Sequence, residues 1–233
     1  MQQPSIKAII WDFGQVAFFF PKSGWLQAWS KVPKVKRALE KRQNRTEIEE
    51  RLFAAQKLFE TGLASHEEHR LALSSALCLE NPLTWSEFRL GYLHSESLSL
   101  NTPLFAAQAA IAKIGMAQAV ISNLCPIWHK VLERAGATRH LDLELYSYSE
   151  GLAKPSEELV IRAIDRIGMA AEDVLTVDDC LQNLAAASFC GTRIHRYEDN
   201  ARLAARLNEL NLPPQCLNPL LTKKPEPFVP VWK

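Results

Sequence analysis

Apolar and polar positions along the chain fall into short blocks of two kinds. Residues 6–11, Ile6-Lys7-Ala8-Ile9-Ile10-Trp11, make an apolar run that stops abruptly at Asp12-Phe13-Gly14. A run this short and this apolar predicts a buried strand of a parallel sheet. After Pro103 such runs return, now separated by helix-like spacing. Helices are predicted over 105–114, 127–135, 156–167 and 183–189, the third stopped by Gly168 and the fourth by Cys190-Gly191. Between and after them, strands are predicted over 119–121, 143–145, 174–177 and 193–195. Repeated strand–helix units imply a doubly wound α/β fold, a parallel sheet covered on both faces.

The stretch from Trp25 to Leu93 breaks this alternation and predicts helices only. Ile48, Leu52, Ala55 and Phe59 recur at helical spacing, and Ser65-His66-Glu67-Glu68 has the form of a capping box. Thr84-Trp85-Ser86-Glu87 predicts another helix start. Beyond Leu212 the chain holds six of its thirteen prolines, so an extended tail without regular structure is expected, with Phe228 and Trp232 tucked onto the body.

Composition narrows the class. With 233 residues, 47% of them hydrophobic and 23% charged, the chain is ordinary for a globular protein and too apolar for disorder. Lys and Arg number 27 against 26 acids, a net charge of +1 that argues against a nucleic-acid partner. The most apolar stretches, residues 16–20 and 105–112, are too short to span a bilayer, and the first residues lack the form of a signal peptide. Five scattered cysteines with no C-x-x-C pair fit free thiols in a reducing cytoplasm.

Three predicted strands end in polar groups: Asp12, Ser122-Asn123 and Asp178-Asp179. A fourth segment, Gly151-Leu152-Ala153-Lys154-Pro155, places a lysine in a loop. In an open α/β sheet the carboxyl ends of the strands form the ligand crevice, so these groups are expected to converge. Two adjacent carboxylates at a strand end repel each other unless a cation is present.

In their order and separations these four segments resemble the motifs of the haloacid dehalogenase (HAD) superfamily. They read Ile9-Ile10-Trp11-Asp12-Phe13-Gly14-Gln15-Val16, Val120-Ile121-Ser122-Asn123, Gly151-Leu152-Ala153-Lys154-Pro155, and Val177-Asp178-Asp179-Cys180 followed by Asn183, Ala186 and Ala187. The resemblance reaches Tyr197. The helical stretch is similar to the small cap of the family's first subclass, and Phe59-Glu60-Thr61-Gly62-Leu63-Ala64-Ser65 resembles the cap segment of its epoxide-hydrolase N-domain-like and glucose-1-phosphatase-like branch. The resemblance implies a Rossmann-like HAD core over residues 1–17 and 97–212, an inserted α-helical cap over 18–96, and a proline-rich tail over 213–233.

It further implies a cytoplasmic, Mg2+-dependent phosphatase of a small phosphorylated metabolite, a monomer or homodimer with no membrane or nucleic-acid partner. Asp12 would be the nucleophile that forms an aspartyl-phosphate. Mg2+ would be held by the Asp12 carboxylate, the Gly14 carbonyl and Asp179, with Asp178 behind or reached through water. Ser122, the Asn123 N–H and catalytic Lys154 would hold the phosphoryl oxygens. At Gly14 the sequence departs from the family, whose phosphatases usually carry a second aspartate there as general acid and base. At Gln15 glycine or asparagine is more usual. These departures keep two alternatives open: a HAD-like scaffold that binds a phospho-ligand or protein without turnover, and a 2-haloacid dehalogenase, which Asp178-Asp179 weighs against.

Other residues carry blander expectations. His66 and His69 are read as a solvated helix face in preference to a metal pair. The basic run Lys31, Lys34, Lys36, Arg37, Lys41, Arg42, Arg45 is read as a solvated surface. Trp25, Trp29 and residues 18–20 either line a substrate pocket or pack within the cap. Cys180 is read as a bystander.

Overall fold

A computed structural model describes residues 4–19, 29–41, 45–93, 99–222 and 224–227. Its centre is a five-stranded sheet in the order β5-β4-β1-β6-β7, with every neighbouring pair parallel. The strands are β1 (Ala8–Trp11), β4 (Ala117–Ser122), β5 (Leu143–Tyr146), β6 (Val174–Asp178) and β7 (Arg193–Arg196). All five correspond to sequence-predicted runs, and the doubly wound expectation holds.

Side chains along β1 alternate between two apolar layers, as a pleat with period two requires. Ala8 and Ile10 join Ala119, Ile121, Leu145 and Val174 against Leu159, Val160 and Ala163 of one helix and Ala187 of another. Those helices are α8 (Glu157–Ile167) and α9 (Leu181–Phe189). Ile9 and Trp11 face the opposite layer with Val120, Leu175 and Val177. That layer is built on α5 (Thr102–Lys113), α10 (Asn200–Glu209) and α11 (Pro214–Thr222). Helices α6 (Pro126–Arg134) and the single turn α7 (Ser147–Glu150) flank β5 in the chain.

The chain moves from β1 outward to β4 and β5, then returns past β1 to β6 and β7. The carboxyl ends of β1, β4 and β6 therefore meet where the winding reverses, the place where open α/β sheets form a crevice.

Short strands β2 (Phe18–Phe19), β3 (Ser99–Leu100) and β8 (Glu226–Pro227) form a second, antiparallel sheet. Between β2 and β3 lies the helical insertion: α1 (Pro33–Glu40), α2 (Arg45–Glu60), α3 (His66–Ala76) and α4 (Trp85–Leu93). Its own core holds Trp29, Leu52, Phe59, Leu73, Phe88 and Tyr92. Ser65 caps α3 with the predicted box: its hydroxyl accepts from the Glu68 N–H, and the Glu68 carboxylate accepts from the Ser65 N–H at 2.8 Å. Glu87 closes the same kind of reciprocal bond onto Thr84 at the start of α4. The insertion meets the sheet domain where Ser147 donates to the Glu60 carbonyl. Gly62 is required there, because its φ is +71° and a Cβ would collide with the Tyr148 carbonyl.

Three expectations are corrected. The tail is not wholly extended: α11 occupies its first part, burying Cys216, Leu217 and Leu220. Pro214 opens that helix, where its missing N–H costs nothing, and the apolar one-sided spacing outweighs Pro219 inside it. His69 is not on a solvated face. It is fully buried, stacked 4.3 Å from Phe59, and shares its ring nitrogens with the Ala55 carbonyl and the Tyr92 hydroxyl. His66 is exposed, as expected. Helix α5 begins three residues before its predicted start, because Asn101 caps it by accepting from the Leu104 N–H.

Trp29 packs edge-on to Tyr92 within the insertion, and Phe18 packs on Phe13. Phe20, Trp25, Arg42, Phe228 and Trp232 lie outside the described residues. Among the described basic residues, Lys34 donates to the Pro82 carbonyl and Lys36 pairs with Glu40 across one turn, as a solvated face would.

Candidate active site

The three polar strand ends and the lysine loop converge. Asp12 follows β1 directly, and its N–H donates to the Val177 carbonyl of β6 at 2.9 Å, which fixes its direction at the sheet rim. Ser122, the last residue of β4, donates its hydroxyl to Asp12 Oδ1 at 3.1 Å. Lys154 reaches in from the loop before α8, its Nζ 2.7 Å from Asp12 Oδ1 and 2.7 Å from Asp178 Oδ2. The Lys154–Pro155 peptide bond is cis.

Asp178 is the anchor of this arrangement. Its Oδ1 accepts from the Cys180 N–H at 2.8 Å, and both its oxygens accept from Asn183 Nδ2 at 3.0 Å. With the lysine added, the four acceptor positions of that carboxylate are engaged. Asp179 is half-buried, and oxygens of Asp12, Asp178 and Asp179 lie within 4.8 Å of one another. Gly14 sits beside them: a Cβ built on it would lie 3.8 Å from Asp12 Oδ2.

Asn123 acts through its side chain. Its Oδ1 accepts from the Lys154 N–H at 2.7 Å and its Nδ2 donates to the Lys154 carbonyl at 3.0 Å. This reciprocal pair holds the lysine loop against the end of β4. Asn183 carries a role that the sequence alone does not assign, donating to both oxygens of Asp178. Its signal was its place in the first turn of the helix after Asp178-Asp179, where an amide can turn back onto the carboxylates. Cys180 contributes its backbone N–H only, in keeping with its expected bystander thiol.

The electrostatics follow from burial. Withdrawal from water pushes the Asp12 carboxyl up to about 6, Lys154 opposes that rise and Asp178 adds to it. Burial works against the charge on Lys154, but Asp12 and Asp178 more than offset it, so the ammonium is held above the ordinary lysine value. Burial, and then the neighbouring Asp178, raise Asp179. Three carboxylates against one ammonium leave a negative pocket of oxygen donors. Such a donor set fits a hard divalent cation such as Mg2+, which takes carboxylate and carbonyl oxygens.

A surface groove of 830 Å3 on the insertion, lined by Lys34, Arg37, Lys41, Arg51 and Glu47 among others, shares no residue with this site. No helix among the described residues is long and apolar enough to cross a membrane.

Sheet order, winding and the insertion after the first strand define the HAD-like fold, and solved structures bear this out. The HAD-family enzyme BT-2542 from Bacteroides thetaiotaomicron, in complex with magnesium and inorganic phosphate, is 16% identical and superposes with a TM-score of 0.68 over 83% of this chain and 94% of that one. A predicted HAD-like family hydrolase from Porphyromonas gingivalis is 21% identical, with a TM-score of 0.67 over 88% and 98% of the two chains. The L-2-haloacid dehalogenase from Xanthobacter autotrophicus is 20% identical, with a TM-score of 0.55 over 86% and 81%. No protein-family model and no curated protein sequence matches the chain.

Proposed function

We propose that this protein is a cytoplasmic, Mg2+-dependent phosphatase of small phosphorylated metabolites, working through an aspartyl-phosphate on Asp12. The observation that carries this reading is the Lys154 ammonium bonded at once to Asp12 and Asp178, with Asp179 alongside. The BT-2542 complex with magnesium and inorganic phosphate supports it by likeness of fold.

In this reading Asp12, the Gly14 carbonyl and Asp179 hold the ion, and Asp178 stands behind them, its oxygens already spent on Lys154, Asn183 and the Cys180 N–H. A bound ion would supply positive charge that offsets the repulsion between the phosphoryl oxygens and the Asp12 and Asp179 carboxylates. Asp12 attacks phosphorus with a carboxylate oxygen; the ester P–O bond breaks, and its electron pair leaves on the alcohol oxygen, which takes a proton from water. Water then attacks the phosphorus of the acyl phosphate, releasing orthophosphate and restoring the Asp12 carboxylate. Ser122, the Asn123 N–H and Lys154 stabilise the phosphoryl oxygens throughout. The helical insertion over residues 18–96 serves as the cap that covers the crevice and selects the substrate. The cytoplasmic assignment rests on the five unpaired cysteines.

The test is a panel of sugar, nucleotide and acyl phosphates assayed with and without Mg2+, on wild type and Asp12→Asn. Phosphate release that needs the ion and disappears in the variant is expected. Release that persists after chelation, or in the variant, would sink the mechanism.

A second reading, a 2-haloacid dehalogenase, is favoured by Gly14, since that chemistry uses an aspartate nucleophile without the second acid. Asp178-Asp179 favours the phosphatase. Metal-independent halide release from a 2-chloro acid would decide for the dehalogenase.

A further inference from the structure

Three non-glycine residues among those described have φ in the left-handed region: Gln15 at 55°, Cys78 at 48° and Asn211 at 62°. Two of them are accounted for by helix endings. Cys78 and Asn211 each lie one residue past the C-cap of a helix, Leu77 after α3 and Leu210 after α10, where a left-handed residue closes the last turn. Gln15 ends no helix. It stands in the turn that follows Asp12, next to Gly14.

That turn is fixed from several sides. The Gln15 N–H donates to the Phe18 carbonyl at 2.8 Å, and the Ala17 N–H to the Phe13 carbonyl at 2.8 Å. Buried Asn101 holds it from outside: its Nδ2 donates to the Val16 carbonyl at 2.8 Å, and its backbone N–H to the Ala17 carbonyl at 2.8 Å. Tyr197 and Asn200 complete the same polar cluster. The left-handed geometry is therefore imposed by the loop, and glycine would satisfy it without the clash that a Cβ brings. The Gln15 side chain is exposed and has no hydrogen-bond partner among the described residues. Among the described residues, neither packing nor hydrogen bonding explains a side chain at this position.

We propose that Gln15 is a substrate-contacting specificity residue, whose carboxamide hydrogen-bonds a hydroxyl-bearing leaving group of the phosphate ester. This rests on the phosphatase reading. An amide offers two donors and one acceptor oxygen, which matches a hydroxylated alcohol and gives nothing to a plain aryl ring. It transfers no proton, so it does not replace the missing acid; it selects and orients the ester. Strain kept at a loop beside a reactive group is the expected mark of such a task.

The experiment compares Gln15→Gly, Gln15→Asn and Asp12→Asn with wild type. Melting temperature is read alongside kcat/KM for glycerol phosphate, which is hydroxylated, and phenyl phosphate, which is not. Gln15→Gly should melt about 2–4 °C higher, because the strain is relieved. It should lose about tenfold in kcat/KM on glycerol phosphate, a typical loss for a missing neutral hydrogen bond, and stay within about twofold on phenyl phosphate. Gln15→Asn, which keeps a carboxamide, should fall between. Equal kcat/KM for Gln15→Gly and wild type on glycerol phosphate, with Asp12→Asn inactive, would overturn the Gln15 assignment alone. An equal fall on both esters would overturn it too. No turnover by wild type would overturn it together with the phosphatase reading.

Discussion

The ammonium of Lys154 rests 2.7 Å from the carboxylate of Asp12, and each side chain is only 8% exposed. A buried charge that loses its partner is expensive, typically about 3–5 kcal/mol. Lys154→Met should therefore lower unfolding free energy by about that amount in metal-free protein. Saturating Mg2+ should recover part of the loss, since the ion restores positive charge beside Asp12. Urea melts with and without the ion provide the check; a variant as stable as wild type in chelator would contradict the arrangement.

A cation that binds only the folded state raises its stability by mass action, about 2.7 kcal/mol at a hundred times the dissociation constant. In a chain of this size that corresponds to about 5–10 °C in melting temperature. The shift should vanish in Asp179→Asn, because Asp178 is already engaged by Lys154, Asn183 and the Cys180 N–H. Thermal melts against Mg2+ concentration would show it, and an undiminished shift in the variant would place the ion elsewhere.

Gly14 has a φ outside the left-handed region, and a Cβ there would make only ordinary contact with Asp12. Gly14→Asp should therefore fold and restore a general acid within reach of the leaving oxygen. Without one, wild-type rates should depend steeply on leaving-group acidity. The variant, saturated with Mg2+, should gain about 10²-fold or more on alkyl esters and little on nitrophenyl phosphate. A leaving-group series that is equally steep in both proteins would rule this out.

His69 supplies a pH dependence remote from the site. Burial holds its pKa down at about 4, the Ala55 carbonyl acting the other way and His66 adding slightly to the fall. The unfolded chain titrates near the ordinary value of 6.5, so between 6.5 and 4 it binds a proton that the folded state refuses. The stability from this group is complete above 6.5 and is lost as pH falls through 4, about 3 kcal/mol in all. Urea midpoints from pH 7 to 4 should drop accordingly, and His69→Phe should flatten the drop. An unchanged pH slope in His69→Phe would refute this.

The parallel sheet was legible because its central strands are short apolar runs that end in a polar group, and the site was legible because Asp12, Ser122 and Asp178 are those endings; the edge strand β7, Arg193-Ile194-His195-Arg196, was marked by its place after a helix stopped at Cys190-Gly191. The insertion's helices were announced by their caps, Ser65 with Glu68 and Thr84 with Glu87. What escaped was decided by packing. The proline count masked the one-sided spacing of Cys216, Leu217 and Leu220, which the facing surfaces of α5 and α10 stabilise as a helix. His69 is polar by type, and its partners, Tyr92 and the Ala55 carbonyl, are distant enough in sequence that no local pattern pairs them. Asn123 could be placed at a strand end, but its reciprocal bonds join it to Lys154, 31 positions along the chain and beyond α6, β5 and α7.

Because β1 is hydrogen-bonded on one side to β4 and on the other to β6, Asp12 is made before either flanking strand and is surrounded only after both have followed. A nascent chain ending before residue 154 would carry Asp12 without its counter-charge, and one ending before residue 174 would lack the neighbouring strand that orients it. Prematurely terminated products should thus lack the assembled cluster, which would form during synthesis only once β4, the Lys154 loop and β6 have emerged and closed around the first strand.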